Sequence, residues 1–506
     1  MGGKENPLEL VFYLVCVAFF LLLVFLPTLY LIFRSCPNGS SLCLPNVYVT
    51  KEMQDALFNS FSIAFLVVVV DVVFGVPVAW ILARYKLRSK KYLNFLIDMP
   101  LIVPTAALGF SVAVFWGGEG IGLLSKGYWM IFMVHAAFTY PYIVRTLTAA
   151  IEEIDINYEI AARTLGAPPL TAFRTVTLPL FKAGLFIGGM LAFTRSLSET
   201  GATMMAVGVG EFFAATAPVQ TLLYKNSGDM TSAVSLSLIL IATSTILLAV
   251  VRNLAYRFRI PIGKPNTSFE ASLGRLSVYK NILSLLFLFL LVLLPSFFFL
   301  KHISPSFHHF DDIIQSILIS FLIAITATAV DLLFGVGMAI LIGKNKYGLG
   351  ELFDFLIDAV MVMPTVALGL SLGMFWGAFN INEFVTLAMV HLALAYPYIV
   401  KPISASIRAM DKELEQAART LGADQFKVFR TITLPLIMPS ITAGAIMAFM
   451  RSLSETGATL AVSKTFKTIP VLIVDFVKTN QFPEAAFASG VLLLISFFAA
   501  FLLRRK

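Results

Sequence analysis

Uncharged runs as long as a bilayer is thick constrain this chain more than any other feature of it. Leu10 to Phe33 and Ile282 to Leu300 carry no charged side chain, and a helix needs about 20 apolar residues to cross the hydrocarbon core. Hydrophobic residues make up 58% of the 506 and charged residues 13%, against about 25% charged in a soluble domain. The mean hydropathy is +0.87. The sequence describes a polytopic, all-α membrane protein and excludes a soluble enzyme on an anchor.

The net charge of +8 matters less than where the bases sit. Arg84, Lys86, Arg88, Lys90 and Lys91 form one cluster, Arg252, Arg257 and Arg259 a second, and Arg504, Arg505 and Lys506 a third. Each borders an apolar run, which marks the cytoplasmic side. Nucleic acid is excluded as a partner, because no basic face with interleaved aromatics lies on a soluble region. The first apolar stretch is too long for a cleavable signal. Three cysteines exclude a disulfide framework and a paired-cysteine zinc site. Cys16 reads as a small core residue, while Cys36 and Cys43 share a polar loop on the expected outer side, where an oxidising environment permits a disulfide. Asn38-Gly-Ser in that loop fits the glycosylation pattern.

The chain repeats itself. Asp71, Asp98, Pro104 and Trp116 recur as Asp331, Asp358, Pro364 and Trp376, offset by 260. Beyond a four-residue deletion the offset is 256, relating His135, Tyr140 and Pro141 to His391, Tyr396 and Pro397. Two homologous halves follow, residues 1–256 and 278–506, joined by a polar linker at 257–277. Each reads as six spans, near 9–33, 57–83, 93–117, 128–148, 181–206 and 233–251, then near 282–300, 313–342, 352–377, 385–404, 438–461 and 484–503. An even number makes the halves parallel, with both termini and the linker in the cytoplasm. About 12 transmembrane helices in two pseudo-symmetric six-helix halves are expected.

The closest internal match falls in two long inner loops, 149–180 and 405–436. EIAARTLGAPPLTAFRTVTLPL runs from Glu159 and EQAARTLGADQFKVFRTITLPL from Glu415. Each predicts a short helix with a small-residue face at Ala161 and Ala162, or Ala417 and Ala418. Gly166 and Gly422 suit a helix C-terminal turn, and Pro179 and Pro435 the first turn of the next span.

In each loop the glycine precedes the proline by thirteen residues, which resembles the EAA loop of binding-protein-dependent ABC importer permeases. The family's glutamate place is taken here by Ile160 and Gln416, with Glu159 and Glu415 one residue earlier. The resemblance implies that these helices dock into two ATPase subunits at the cytoplasmic face, that an external solute-binding protein delivers the solute, and that ATP and Mg bind the partner rather than this chain. Arg195-Ser-Leu-Ser-Glu199-Thr-Gly201-Ala-Thr, repeated as Arg451-Ser-Leu-Ser-Glu455-Thr-Gly457-Ala-Thr, looks like a stretch of sulfate and molybdate permeases. Ferric iron and thiamine permeases belong to the same broad group. The implied role is a plasma-membrane permease for an inorganic oxyanion or ferric iron.

Ionisable groups inside spans are functional candidates by default. Arg195 and Glu199, like Arg451 and Glu455, are four apart and neighbours on a helix. Either the pairs neutralise themselves inside the bundle, or spans 5 and 11 line the path and the arginines attract an anion. Gly201 and Gly457 permit close approach or a constriction. Asp71, Asp331, Asp98 and Asp358 read as structural hydrogen-bonding groups, His135 and His391 as satisfied core histidines. No phosphate-cradling G-x-x-x-x-G-K-[ST] loop and no metal or nucleophile constellation occurs, so neither ATP hydrolysis nor other catalysis is expected in this chain. The competing reading is an ion-driven secondary transporter of 6+6 architecture, against which the two EAA-like loops stand. The topology is directly testable. An impermeant thiol reagent on intact, reduced cells should label Cys36 and Cys43, and reaction only in inverted vesicles would reverse the orientation.

Overall fold

A computed structural model describes residues 7–34, 49–88, 90–207, 215–257, 267–275, 277–304 and 308–504. Cys36, Cys43 and the Asn38 triplet lie outside them, as do residues 258–266 of the linker. Among the described residues every regular element is helical. In the first half these are α1 (Leu10–Phe33), α2 (Lys51–Arg84), α3 (Lys90–Ile102), α4 (Thr105–Trp116) and α5 (Tyr128–Glu152). They continue as α6 (Ile156–Thr164), α7 (Pro169–Ser198), α8 (Gly201–Ala206), α9 (Ala217–Ser227) and α10 (Met230–Arg257). A linker helix α11 (Thr267–Arg275) follows. The second half repeats the order as α12 (Val278–His302), α13 (Phe310–Gly343), α14 (Gly350–Val362), α15 (Thr365–Gly377) and α16 (Glu383–Ala409). It ends with α17 (Lys412–Thr420), α18 (Gln425–Leu453), α19 (Gly457–Val462), α20 (Ile469–Lys478) and α21 (Phe482–Arg504).

Nine of the described helices are long and apolar enough to cross a membrane, and eleven crossings result if each of two bent pairs counts once. The twelfth expected span coincides with α5, which is long enough but less apolar; its counterpart α16 passes. Spans 3 and 9 differ from the straight helices expected. α3 meets α4 at 99° and α14 meets α15 at 104°. Pro104 and Pro364 stand at the two breaks, where proline excludes the helical region for the preceding residue. Proline also explains four π-turns. Leu21–Phe25, Phe173–Thr177, Leu288–Leu293 and Phe429–Thr433 each run up to a Leu-Pro step. Widening the helix there accommodates a ring that would strike the carbonyl four residues back and supplies no N–H.

The halves do not pack as separate bundles. α1 lies against α13 and α16 of the other half, and α12 against α2 and α5. Phe19 stacks on Phe334 with ring centroids 4.1 Å apart; Phe287 stacks on Phe74 at 4.3 Å. Phe74 and Phe334 are repeat equivalents, and so are Tyr140 and Tyr396, which pack on Phe287 and Phe20 respectively. The exchange continues at the C-terminal spans, because the largest apolar cluster joins Phe110 and Ile131 to Ile473 and Leu492. Ser111 ties the same seam in polar terms, donating to the Pro295 carbonyl at 2.6 Å and accepting from the Phe299 N–H. Arg252, at the end of α10, reaches Asp354 and Asp358 of α14 at 3.6 Å each.

Each half therefore leaves apolar surface uncovered without the other. Residues 1–256 expressed alone should fail to accumulate as folded protein, and co-expression with 257–506 should restore it. Quantifying both in membranes checks this; a stable lone half would contradict the exchanged packing.

Candidate functional site

The inner-loop helices are built by local rules. Asp155 starts α6 by accepting from the Asn157 N–H at 2.9 Å, and Asp411 starts α17 through Glu413 in the same way. Such caps are worth about 1 kcal/mol. Each helix ends in a Schellman turn. The Gly166 and Ala167 N–H groups donate to Arg163 and Ala162 carbonyls, and Gly422 and Ala423 to Arg419 and Ala418. The turn requires the left-handed φ of +89° at Gly166 and +84° at Gly422.

Glu159 and Glu415 do not join the outward face. Glu159 is buried and accepts Arg84 Nη2 at 2.8 Å and Nε at 3.0 Å, fixing α6 to the end of α2. Glu415 accepts Lys344 Nζ at 2.7 Å and the Thr433 hydroxyl at 2.6 Å. Burial alone would raise the Glu415 carboxyl, but the Lys344 ammonium and Thr433 hydroxyl outweigh it and hold it below its usual range. With the acids turned inward, Ala161 and Ala417 are exposed, Ala162 and Ala418 partly so, and Leu165 and Leu421 are each 89% exposed. Small side chains flanked by a projecting leucine are exposed on both helices, beside larger exposed residues such as Tyr158, Ile160 and Leu414.

The linker breaks the symmetry of these loops. Glu270 of α11 is buried and accepts from Thr171 and from Arg174 Nε, the latter at 2.9 Å. The equivalent of Thr171 in the second loop is Lys427.

At the pseudo-axis both motifs depart from the continuous helices expected. α7 ends at Ser198, Glu199 is extended, and α8 begins at Gly201; α18 breaks likewise before α19. The breaks are held by the glutamates. Glu199 Oε2 pairs with Arg195 at 2.6 Å while Oε1 accepts the Ala202 N–H at 2.9 Å. Glu455 does the same with Arg451 at 2.5 Å and Ala458 at 2.9 Å. His135 bridges the break through Ser196 at 2.7 Å and Thr203 at 2.8 Å. His391 does so through Ser452 and Thr459.

Across the axis the two breaks touch. A Cβ on Gly201 would stand 2.7 Å from Thr456 Oγ1, and one on Gly457 2.9 Å from Thr200 Oγ1. The Thr200 and Thr456 hydroxyls are buried without a hydrogen-bond partner among the described residues. Beside this contact lies a cavity of about 440 Å³, lined from both halves. Its wall includes Arg195, Arg451, Tyr142, Tyr398 and Asp98. Every wall residue of α7 and α18 precedes the break, so the cavity lies on the side of α6 and α17. Arg195 and Arg451 share this cavity, and Asp98 carries an ion pair with Arg145 at 2.6 Å. Asp358 pairs with Lys401 at 2.7 Å, and Asp71 accepts from Thr139 at 2.6 Å. Both Asp331 oxygens lack a partner among the described residues. Tyr142 and Tyr398, the Asp155 and Asp411 caps, and Arg145 with Lys401 were not singled out in the sequence, although each pair keeps the 256 offset.

A bent crossing and an inner-loop helix present in both halves, with a closed axial contact between them, fit the membrane component of a transport system. The chain matches the family described as binding-protein-dependent transport system inner membrane component over residues 75–260 and again over 331–505, and it belongs to that family. It is similar to the sulfate transport system permease protein CysT of Salmonella typhimurium, 33% identical over 38% of this chain and 74% of the relative. The molybdenum transport system permease protein ModB of Escherichia coli is 33% identical over 40% of this chain and 93% of its own length. The molybdate/tungstate transport system permease protein WtpB of Pyrococcus abyssi is 32% identical over 33% and 67%. Each relative aligns with less than half of this chain, as two fused halves require.

The axial contact yields a test. Gly201→Ala should destabilise the protein by ~1–3 kcal/mol through overpacking against Thr456, seen as a lower thermal unfolding midpoint in detergent. Gly118→Ala, where an added Cβ meets nothing within 4 Å, should leave the midpoint unchanged.

Proposed function

We propose that this chain is the fused permease of an ATP-driven ABC importer for a small inorganic oxyanion of the sulfate, molybdate or tungstate type. The observation that carries the reading is the pair of exposed small-residue helices, α6 and α17, each pinned from behind by an inward-facing glutamate. A helix that presents alanines outward admits close approach by a partner groove, and anchoring its acid to the end of a span lets a push on the helix move that span. Two such helices correspond to two ATPase subunits, which would hold ATP and Mg. An external binding protein would deliver the solute at the opposite face. The exposed coupling face would comprise Ala161, Ala162, Ala417 and Ala418, shaped by Gly166 and Gly422, with Glu159 and Glu415 acting behind it. The chain would reside in the plasma membrane with its termini and linker cytoplasmic.

The sulfate, molybdate and tungstate relatives favour an oxyanion over ferric iron. Arg195, Glu199, Gly201, Arg451, Glu455 and Gly457 would surround the route. With the Gly201–Thr456 and Gly457–Thr200 contacts shut and the cavity on the coupling side, the arrangement corresponds to an inward-facing resting state. Chemical energy would open the contact outward when the ATPase subunits close.

Ala161→Trp together with Ala417→Trp should abolish uptake and co-purification of the ATPase. Membrane insertion and thermal stability should be unchanged, because both positions are exposed. Full uptake in that double variant would overturn the coupling assignment.

A further inference from the structure

Taking the chain as the permease of an oxyanion importer, we infer that the axial cavity is a binding site in its own right. A tetrahedral oxyanion would be held there between Arg195 and Arg451, inside the membrane and independently of any binding protein. The argument rests on how each ion pair is divided. Glu199 and Glu455 are 3% exposed and do not line the cavity. Each is held by its arginine and by a helix N–H, so neither can swing into the space. The arginines are the members of the pairs that face it, with side chains 21% and 17% exposed. The wall therefore presents guanidinium groups while the compensating charge sits behind them.

The remaining charged wall residue, Asp98, is taken up by Arg145. Tyr142, Tyr398, Thr105 and Ser454 add hydroxyls to the wall. Apart from Ser496, whose hydroxyl donates to the Leu492 carbonyl, the other lining residues, such as Met447, Met450 and Phe138, are apolar and lower the local dielectric, which strengthens a charge-assisted hydrogen bond. Guanidinium groups suit planar, two-point contact with an oxyanion. A cavity of about 440 Å³ exceeds the ~30 Å³ share of one water many times over, so the anion enters with part of its hydration. The buried Thr200 and Thr456 hydroxyls, without partners among the described residues, stand at the contact that precedes the cavity on the inward route. They would become the first protein donors an incoming anion meets as that contact parts. The alternation of hydroxyl donors and paired arginines offers hydrogen bonds at each stage without a free positive charge, which would trap a dianion.

The experiment uses the full-length permease in lipid nanodiscs, without binding protein, and radiolabelled sulfate or molybdate as the probe. At least one of the two should bind, with chloride failing to compete. Met447→Glu places a carboxylate on the wall one helical turn before Arg451, where it competes with an anion for that guanidinium, and should weaken binding at least about tenfold, in line with disruption of a charge-assisted contact. Met447→Gln should bind nearly as wild type. Arg195→Lys with Arg451→Lys should retain partial binding, and the corresponding Gln variant should lose it. Unfolding midpoints separate a lost site from a lost fold. Absence of binding in the wild type, or binding unaffected by Met447→Glu, overturns the inference. Uptake by the assembled importer is measured in parallel. Oxyanion uptake without binding to the permease defeats the site alone, whereas absence of uptake for every oxyanion tested defeats the functional reading.

Discussion

The exchange of first spans is the interaction on which the remaining architecture depends. Phe19 on Phe334 and Phe287 on Phe74 lock α1 to the second half and α12 to the first. Helices in lipid gain little from hydrophobic burial against one another and associate through close packing. Here the close packing is aromatic stacking and interdigitation across the repeat, with the Cys16 sulfur occupying the space beside Gly337. Crossing over in this way holds together the two halves whose α7 and α18 bring their broken ends to a common axis.

At that axis, structure and transport make opposite demands on the same residues. The glutamates must hold a helix break deep in the protein, and they do so with one oxygen on an arginine and the other on a helix N–H. The histidines brace each break through a pair of hydroxyls. This polar frame is nearly saturated, which keeps the break rigid. The threonines that touch across it are unsaturated, which keeps their contact easy to part. Rigidity within each half and weak adhesion between the halves are the properties a gate requires.

Much of this was legible in the sequence because it is written twice. The fixed offsets fixed the two halves, the inner-loop helices, their terminal glycines and the family. The Arg195–Glu199 and Arg451–Glu455 pairs could be read from a spacing of four. What spacing could not convey is which face each acid takes. Glu159 lies on a helix expected to dock, yet it pairs inward with Arg84, a residue 75 positions away. The bends at Pro104 and Pro364 were equally hidden, since an apolar run has the same composition whether straight or turned through a right angle. The exchange of α1 and α12 left no local signal, because aromatic residues in a span are common and their partners are more than two hundred residues distant. The linker helix and its Glu270 anchor were masked by a polar composition that reads as loop.

The stacking of Phe19 on Phe334 also sets a schedule for biosynthesis. The second ring leaves the ribosome 315 residues after the first, a delay of roughly 15–60 s at ordinary rates of synthesis. During that interval α1 stands in the bilayer without its partner. Its run from Leu10 to Phe33 has no charged side chain, so as a helix it satisfies its own backbone and can wait there unpaired. Assembly of the first half is completed only as the second emerges, since the seat at Phe74 stays unfilled until Phe287 is made.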